Sequence, residues 1–378
     1  MRTVLAVALL SGSSVFAQVK SSIVGAGYAS PAPVALAPGQ VVTVFVQGLG
    51  GGLTEELRAA RAPLPTTLGG ISVLLEQTAG DPSPLAAPLF AVRPLESSCA
   101  GSFGTECGSL TAITIQVPFD LVPHNPLALA PVSNRAVLAV AQDGDFGVSI
   151  GVRPQSDNIH IVTSCDQQSS FSSLSCIPIV AHADGTLVSA GSPAAPGEVL
   201  VMYAFGLGFT DPPVQTGEIS PSPPAIVADD LSLGFEFSPN AAPKRPLPAQ
   251  PSPAAGPADN PLPPPGVIFA GLAPGFVGLY QVHFRVPVSP DPVPPCDFPG
   301  DFPVRSNLTV SIATFTSFDG AGICVDPNAK AALENGSTQA ASVNAIPGGR
   351  LDPPANGEPF VPNFIPFPTG SDLTQPAK

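Results

Sequence analysis

The chain has 378 residues, of which 44% are apolar and 11% are charged, against about 25% charged residues in an average soluble domain. This apolar content is sufficient for packed cores, so disorder of the whole chain is excluded. Fourteen basic and 28 acidic residues give a formal net charge of −14. Nucleic acids and anionic membranes both require a basic surface, so we expect neither as a partner.

Residues 1–17 are predicted to be a secretory signal peptide. Met1-Arg2-Thr3 precedes the apolar run Val4 to Leu10, and Val15-Phe16-Ala17 places small residues before a cleavage point at Gln18. An ordinary buried N-terminal strand is the alternative. The apolar run is far shorter than the roughly 20 residues of a transmembrane helix, and no later segment approaches that length. We therefore expect a secreted or extracellular protein without a transmembrane segment, with the periplasm and the cell surface as possible locations.

An internal repeat is the most informative feature of the chain. Ala37-Pro38-Gly39-Gln40 and Ala195-Pro196-Gly197-Glu198 each precede a run of β-branched and aromatic residues that ends in Gly-Leu-Gly. This pattern is typical of a buried strand between two turns. Later landmarks recur in the same order: Phe-Ala at 90 and 269, Val-Pro at 117 and 286, and Ser-Asn at 133 and 306. The shared order predicts duplication of a whole module.

The predicted elements divide into a first module at 18–165 and a second at 177–325. In the first, strands are expected at 22–24, 41–46, 71–75, 88–92, 110–117, 136–140, 147–150 and 159–162, with one short helical turn at 55–61. The second begins with a hairpin around Asp184-Gly185 and continues with strands at 199–205, 229–237, 266–270, 279–286 and 308–312. Strands and turns at this spacing predict an all-β fold, either a sandwich or a barrel.

Two regions fall outside the repeat. Residues 239–265 are dominated by Pro, Ala and Asn, and proline does not pair in a sheet interior, so this stretch is predicted to be an insertion in the second module. Residues 326–378 have almost no alternating apolar pattern and are predicted to be a disordered tail.

The six cysteines form three pairs of sequence neighbours. An even number of cysteines in an exported chain favours disulfides. Many connectivities are possible, and proximity in the sequence favours pairing Cys99 with Cys107, Cys165 with Cys176, and Cys296 with Cys324. A metal site is the alternative, although the spacing typical of zinc ligands does not occur.

The second module resembles an uncharacterised C-terminal domain family of secreted proteins from Solibacter and related soil bacteria. The resemblance depends on residues 181–186, 196–199 and 206–208, and above all on the run from Ala270 to Val282, Ala-Gly-Leu-Ala-Pro-Gly-Phe-Val-Gly-Leu-Tyr-Gln-Val. The Pro-Gly, strand, Gly-x-Gly opening also looks like the IPT/TIG group of immunoglobulin-like domains. The resemblance implies two tandem immunoglobulin-like β-sandwich domains and no known activity. The Pro-rich insertion departs from the family pattern.

No catalytic, cofactor-binding or metal-binding residues are predicted. The chain has no Gly-x-Ser-x-Gly elbow, and its four histidines, His124, His160, His182 and His283, lack the close spacing of a zinc protease. Asp143-Gly144-Asp145 and Asp229-Asp230 could offer oxygen ligands to calcium, but acidic turns explain them more simply. The absence of Trp, with only three Tyr, gives little support for sugar stacking.

The leading hypothesis is a secreted, non-enzymatic structural or interaction protein. Its expected partner is a cell-envelope protein, an extracellular protein or a polysaccharide. One alternative is a carbohydrate- or polymer-binding module with the ligand held in loops of the second sandwich. The other is a hydrolase whose residues converge only in space, which requires His182 or His283 within hydrogen-bond reach of a carboxylate and a hydroxyl.

Overall fold

The computed structural model describes residues 21–28, 31–32, 34–49, 53–81, 83–95, 110–124, 134–164, 166, 177–235, 266–287, 307–312, 317–326 and 328–329. The predicted signal peptide, the Pro-rich insertion, nearly all of the predicted tail and every cysteine except Cys324 lie outside these residues.

All regular secondary structure in the described residues is β-strand. In the first part of the chain the strands are β1 (Ser22–Gly27), β2 (Pro31–Ala32), β3 (Ala35–Leu36), β4 (Val41–Gln47), β5 (Leu57–Arg58), β6 (Thr67–Leu68), β7 (Ile71–Gln77), β8 (Leu85–Ala87), β9 (Leu89–Leu95), β10 (Leu110–Gln116), β11 (Ala136–Gln142), β12 (Asp145–Phe146) and β13 (Ile150–Pro154). The second part contains β14 (His160–Ile161), β15 (Val180–Ala181), β16 (Val199–Phe205), β17 (Thr210–Asp211), β18 (Ile226–Val227), β19 (Leu231–Phe235), β20 (Val267–Leu272), β21 (Tyr280–Arg285), β22 (Leu308–Ile312) and β23 (Phe318–Ala321). The predicted all-β fold is therefore confirmed.

Strands β1 to β13, here called the first module, form two sheets around one core. One sheet has the order β2-β1-β4-β10-β9-β5, and the other has the order β3-β13-β11-β7-β6, with β12 and β8 paired to its strands. Alternate side chains of β4, Val42, Val44 and Val46, point into this core, together with Leu75 and Leu138 from the opposite sheet. The intervening residues of β4 therefore lie on the outer face of their sheet.

Strands β14 to β23, here called the second module, repeat this arrangement. A sheet of order β14-β16-β21-β20-β18-β17, with β15 paired to β16, faces the shorter sheet β19-β22-β23. Their shared core includes Leu200, Met202, Tyr280, Phe284 and Val310. Both modules are therefore built as β-sandwiches, while their classification as immunoglobulin-like domains remains a prediction.

The repeated sequence forms the same turn in both modules. Gly39 and Gly197 have φ values of +71° and +82°, a conformation that favours glycine. The N–H of Ala37 donates to Gln40 Oε1 at 3.0 Å, and the N–H of Ala195 donates to Glu198 Oε2 at 2.8 Å. Equivalent backbone bonds then join each turn to the strand that pairs with it, Val117 N to Gln40 O and Val286 N to Glu198 O, both at 2.8 Å.

Two details of the predicted organisation are corrected. The strand expected at 159–162 to end the first module instead pairs with the second: His160 lies opposite Phe205 and Ile161 opposite Ala204. A strand of only two paired residues has no alternation in its sequence that would indicate which sheet it joins. The stretch 55–61 is not a helical turn, because Leu57 and Arg58 pair with Val92 and Ala91 of β9.

Candidate functional site: a cleft between the modules

An apolar cluster joins the two modules. Val41, Leu64 and Phe90 of the first module pack with residues of the second module, among them Tyr203, Phe205, Phe276 and Leu279. We call this cluster the junction. Burial of several large side chains stabilises contact at about 25 cal/mol per Å² of apolar surface. Burial of these side chains therefore stabilises the contact between the modules.

Buried polar groups fix the register of the junction. Gln40, which is fully buried, accepts a hydrogen bond from Asn158 Nδ2 at 3.2 Å and donates through Nε2 to Tyr28 Oη at 2.8 Å. Asn158 Nδ2 also donates to Ala35 O, and its backbone N–H donates to Gly206 O. The amide of Gln40 is thus satisfied at both ends, as burial requires.

The Gly-Leu-Gly segment of the second repeat ends against these groups. Gly206 has a φ of +74°, and a Cβ atom there would lie 2.1 Å from Asn158 O. Leu207 and Gly208 are also buried. Leu207 packs in the core of the second module, and Gly206 and Gly208 lie against the backbone of Asn158 and Ser156, in the segment that joins β13 to β14.

A loop of the second module supplies further cross-module bonds. Gly217 N donates to the buried Gln116 Oε1 at 2.6 Å, and Gly217 O accepts from Leu64 N at 2.9 Å. Phe119 N donates to Thr216 Oγ1 at 2.9 Å. Apolar contact alone is non-directional, whereas these hydrogen bonds have preferred angles. They therefore fix the orientation of one module relative to the other.

Beside the junction, the outer face of the first module's sheet forms the floor of a cleft. The residues in one row across this sheet are Gly27, Thr43, Thr114, Ala91 and Arg58, each opposite the next on neighbouring strands. Small side chains in the middle of this row leave a depression, while Arg58 marks one end. Thr43 Oγ1 and Thr114 Oγ1 lie 3.1 Å apart in the floor.

The walls of the cleft come from both modules. Phe205, Phe276 and Val277 of the second module face Phe90 and other residues of the first across a cavity of about 90 Å³. A cavity of about 150 Å³ holds benzene, and sites for drug-sized molecules measure about 300 to 1,000 Å³. The recess therefore fits an aliphatic group and not a whole organic cofactor.

Charged groups occupy opposite sides of the cleft. Arg58 and Arg93 line it at the β5–β9 edge, where Arg58 forms a salt bridge of 3.0 Å with Glu56. Asp166 lines it on the side of the second module. The Asp166 carboxylate accepts hydrogen bonds from Thr163 N and Thr163 Oγ1, so its position is fixed.

Tyr28 lines the cleft near Asp166, and His160 packs against the Tyr28 ring. Their rings are stacked with centroids 3.5 Å apart, and Tyr28 also stacks with Phe205 at 5.9 Å. His160 Nε2 lies 2.8 Å from Asp166 Oδ2, and Nδ1 lies 3.6 Å from Asp319 Oδ2. Burial raises the pKa of Tyr28 well above its usual value, so the phenol remains protonated. The Tyr28 ring is engaged by protein neighbours, which argues against its use as a sugar platform.

His182 lies in a second cluster, at the hairpin that opens the second module. Its Nδ1 is 2.6 Å from Glu198 Oε1, and its Nε2 is 3.0 Å from Ser192 O and 3.2 Å from Ser192 Oγ. Burial works to lower the pKa of His182, but hydrogen bonds to Glu198 and to the Ser192 carbonyl outweigh it, so the pKa is raised. The imidazolium donates to both partners and stabilises the hairpin.

This cluster meets the geometric criterion set for a hidden hydrolase, because it places a hydroxyl and a carboxylate on one histidine. Two features differ from a catalytic triad. An Nε2–H that donates to Ser192 O has no lone pair to accept the Ser192 proton. In addition, the backbone N–H of Ser192 donates to Ser189 O at 3.1 Å, so this N–H is not available to a substrate.

The other histidines do not meet that criterion. His283 packs edge-on to Phe269 at 5.3 Å, and burial lowers its pKa. Within the described part of the chain its Nε2 has no hydrogen-bond partner. His124 is held through its backbone N–H, which donates to Pro154 O.

The acidic pairs considered for calcium belong to different modules, Asp143 and Asp145 to the first and Asp229 and Asp230 to the second. Asp143 has a φ of +53° and occupies the turn between β11 and β12. Burial, followed by the charges of Asp157 and Asp230, raises the pKa of Asp229. Among the described residues, no group of three or more His, Cys, Asp or Glu side chains is arranged to hold a metal ion.

Cys324 is the one cysteine within the described residues, and it is disulfide-bonded. Its predicted pairing with Cys296 remains a prediction, as do the pairings of Cys99 with Cys107 and of Cys165 with Cys176.

The residues that line the cleft were not predicted as a site. Arg58 and Arg93 lie 35 positions apart in the sequence, and Tyr28, Phe205 and Val277 belong to different modules. Neither arginine belongs to a recognisable motif, so no local pattern marked them as part of a site.

In the described part of the chain, no helix is long and apolar enough to cross a membrane. Comparison with known proteins adds no relative: no protein-family model matches the chain, and no curated protein matches it. The resemblance to the Solibacter-type domain family therefore remains a prediction.

Proposed function

We propose that this chain is a secreted, non-enzymatic interaction protein that binds an extracellular or cell-envelope protein in the cleft between its two modules. The observation that carries the proposal is that both modules contribute walls to one small cavity. Neither module alone would form this site.

The junction supports the proposal because it fixes the shape of the cleft. Asn158 bonds to Gln40 of the first module and to Gly206 of the second, and Gly217 of the second module bonds to Gln116 of the first. A binding surface that is ordered before the ligand arrives loses less conformational entropy on binding. Rigid attachment of two modules is thus useful for recognition as well as for stability.

The test is capture of partners from native envelope and extracellular fractions by the purified chain and by two variants. Ala112→Leu adds volume inside the cleft, where Ala112 lies on the floor. Ala139→Leu makes the same change on the outer face of the opposite sheet and serves as the control. We expect Ala112→Leu to lose a partner that the wild type and Ala139→Leu retain.

Equal capture by all three proteins would contradict the proposal, as would the absence of any saturable partner. A cleft-dependent partner that proves to be a polysaccharide would contradict the choice of a protein. A glycan array provides that measurement directly. Thermal melting of both leucine variants confirms that each is folded.

A hydrolytic site at His182 is the second candidate. It is favoured by one observation, the approach of Ser192 Oγ and Glu198 Oε1 to the two nitrogens of one imidazole. Such a site requires Nε2 to be unprotonated, so activity would increase as the pH rises above the pKa of His182.

Labelling with a fluorophosphonate probe tests this candidate. A hydrolase predicts modification of Ser192 that is absent in Ser192→Ala and retained in Ser189→Ala, a neighbouring serine of the same turn. No labelling across the pH range would eliminate the candidate.

A further inference from the structure

The basic edge of the cleft is unusual in this acidic chain. Two of its 14 basic residues, Arg58 and Arg93, line the same small cavity from adjacent strands. Glu56 forms a salt bridge with Arg58 and Asp166 lines the opposite side, so the charges of the whole lining balance, with both cations grouped at the β5–β9 edge. A guanidinium has five N–H donors in a planar fork and can contact more than one carboxylate.

An apolar recess lies directly beside these cations. Phe90 and Phe276 are almost fully buried where they line it, and Ala112, opposite Arg93 on the next strand, forms part of its floor. The volume of about 90 Å³ is below that of a cavity that holds benzene, about 150 Å³. A branched aliphatic side chain is therefore a better fit than an aromatic ring or a long acyl chain.

The floor also offers hydroxyl groups to a polar backbone. Thr43 and Thr114 are within hydrogen-bond distance of each other, and one hydroxyl donates to the other. The second O–H is a suitable donor for a carbonyl oxygen in the cleft. An apolar recess, a cationic edge and a hydroxyl donor together match a short stretch of polypeptide.

We propose that the cleft recognises a peptide segment in which an aliphatic side chain lies next to a carboxylate. The aliphatic group fills the recess, and the carboxylate pairs with Arg93 and Arg58. This inference rests on the proposed function and names the ligand chemistry of that site. The carboxylate belongs to an acidic side chain or to the free C-terminus of the partner, which have the same chemistry.

The experiment measures binding of four synthetic hexapeptides to the full chain by fluorescence anisotropy. One carries leucine beside glutamate and has an amidated end, and its partner has glutamine in place of glutamate. The third ends in leucine with a free carboxylate, and the fourth is its amide. Amide shifts of Thr43 and Thr114 in NMR spectra report whether a peptide occupies the cleft.

We expect at least one acidic peptide to bind about tenfold more tightly than its neutral counterpart, as a charged hydrogen bond in a partly buried site predicts. The comparison of the two pairs identifies the source of the carboxylate. Arg93→Gln should remove the preference, whereas Arg135→Gln, at an exposed position outside the cleft, should retain it. Unchanged thermal melting establishes that both variants are folded.

Equal binding of acidic and neutral peptides in the cleft would overturn this inference and leave the proposed function standing. Peptides that shift neither Thr43 nor Thr114 would also overturn it. In that case, capture of a native partner that Ala112→Leu abolishes would still support the proposed function, and failure of both experiments would overturn the two together.

Discussion

The turns at Gln40 and Glu198 have the same backbone but lie in different environments. In each, the fourth residue accepts a hydrogen bond from the N–H of the first. Gln40 is fully buried at the junction, and Glu198 has a side chain that is 17% exposed at the outer hairpin. The comparison shows one turn geometry in two environments, with a different side chain suited to each.

The chemistry of the two side chains follows their surroundings. The side chain at position 40 must donate a hydrogen bond to Tyr28 Oη and accept one from Asn158 Nδ2. The amide of Gln40 does both without burying a charge. Glu198 faces two donors, Ala195 N and His182 Nδ1, and a carboxylate suits them better. Burial of an unpaired charge is costly, so the neutral residue lies at the junction.

The largest expected effect on stability is that of Gly206→Ala, which disrupts the contact with Asn158 beside Gln40. The new Cβ would lie 2.1 Å from Asn158 O, at a φ of +74°. We expect the free energy of unfolding to fall by at least about 3 kcal/mol, since both the contact and the backbone conformation are unfavourable. Urea denaturation measures it.

Gly144→Ala is the matched control. Gly144 also has a positive φ, of +90°, but a Cβ there would have no atom within 4 Å. Only the backbone cost of about 1 kcal/mol remains. Similar losses in the two variants would show that packing of Gly206 against Asn158 contributes nothing.

Exchanging the side chains at positions 40 and 198 should have a smaller effect on the free energy of unfolding. Gln40→Glu introduces a carboxylate at a buried position and removes the donor to Tyr28, so we expect a loss of about 2 kcal/mol at pH 7. Burial should raise the pKa of the new carboxyl, so the loss should be smaller at pH 5. Glu198→Gln should cost less, about 1 kcal/mol, because the amide oxygen still accepts a hydrogen bond and both partners keep some contact with solvent. Equal losses in urea denaturation would contradict the assigned roles.

The pH dependence of the hairpin is the smallest predicted effect. The pKa of His182 in the folded protein is raised above its ordinary value of 6.5. The stabilisation by its imidazolium is therefore complete below that ordinary value and is lost as the pH rises through the raised one. The difference in unfolding free energy between wild type and His182→Gln should shrink from pH 5.5 to pH 8.5.

Glu198→Gln provides the control for this titration. Without the carboxylate, substitution of His182 should have a weaker pH dependence. A difference between wild type and His182→Gln that grows with pH would contradict the imidazolium assignment.

Local sequence patterns predicted the long strands and the Pro-Gly turns, because alternation and Pro-Gly pairs act over a few residues, but they did not reveal two-residue strands such as β2 and β5. Position 40 shows where this stops: the turn was predicted, but the partners of Gln40 include Asn158, more than a hundred residues away. His160 shows the same limit, since a strand of two residues does not reveal which sheet it joins. Arg58 was placed in a helical turn because the acidic and basic residues around it suit a helix, and pairing with β9 overrode that preference.

The cleft could not be predicted for a related reason. Its floor depends on the alignment of β1, β4, β10, β9 and β5, and its walls depend on how the modules meet. No single stretch of sequence contains either feature. Once the register is known, Thr43, Thr114 and Ala91 fall into one row.

Differential scanning calorimetry of the full chain tests the central claim, that the junction makes the two modules one rigid unit. We expect a single transition in the wild type, with equal calorimetric and van't Hoff enthalpies, and separation into two transitions in Gly206→Ala. Two independent transitions in the wild type would contradict the claim, because modules that unfold separately do not hold a cleft of fixed shape between them.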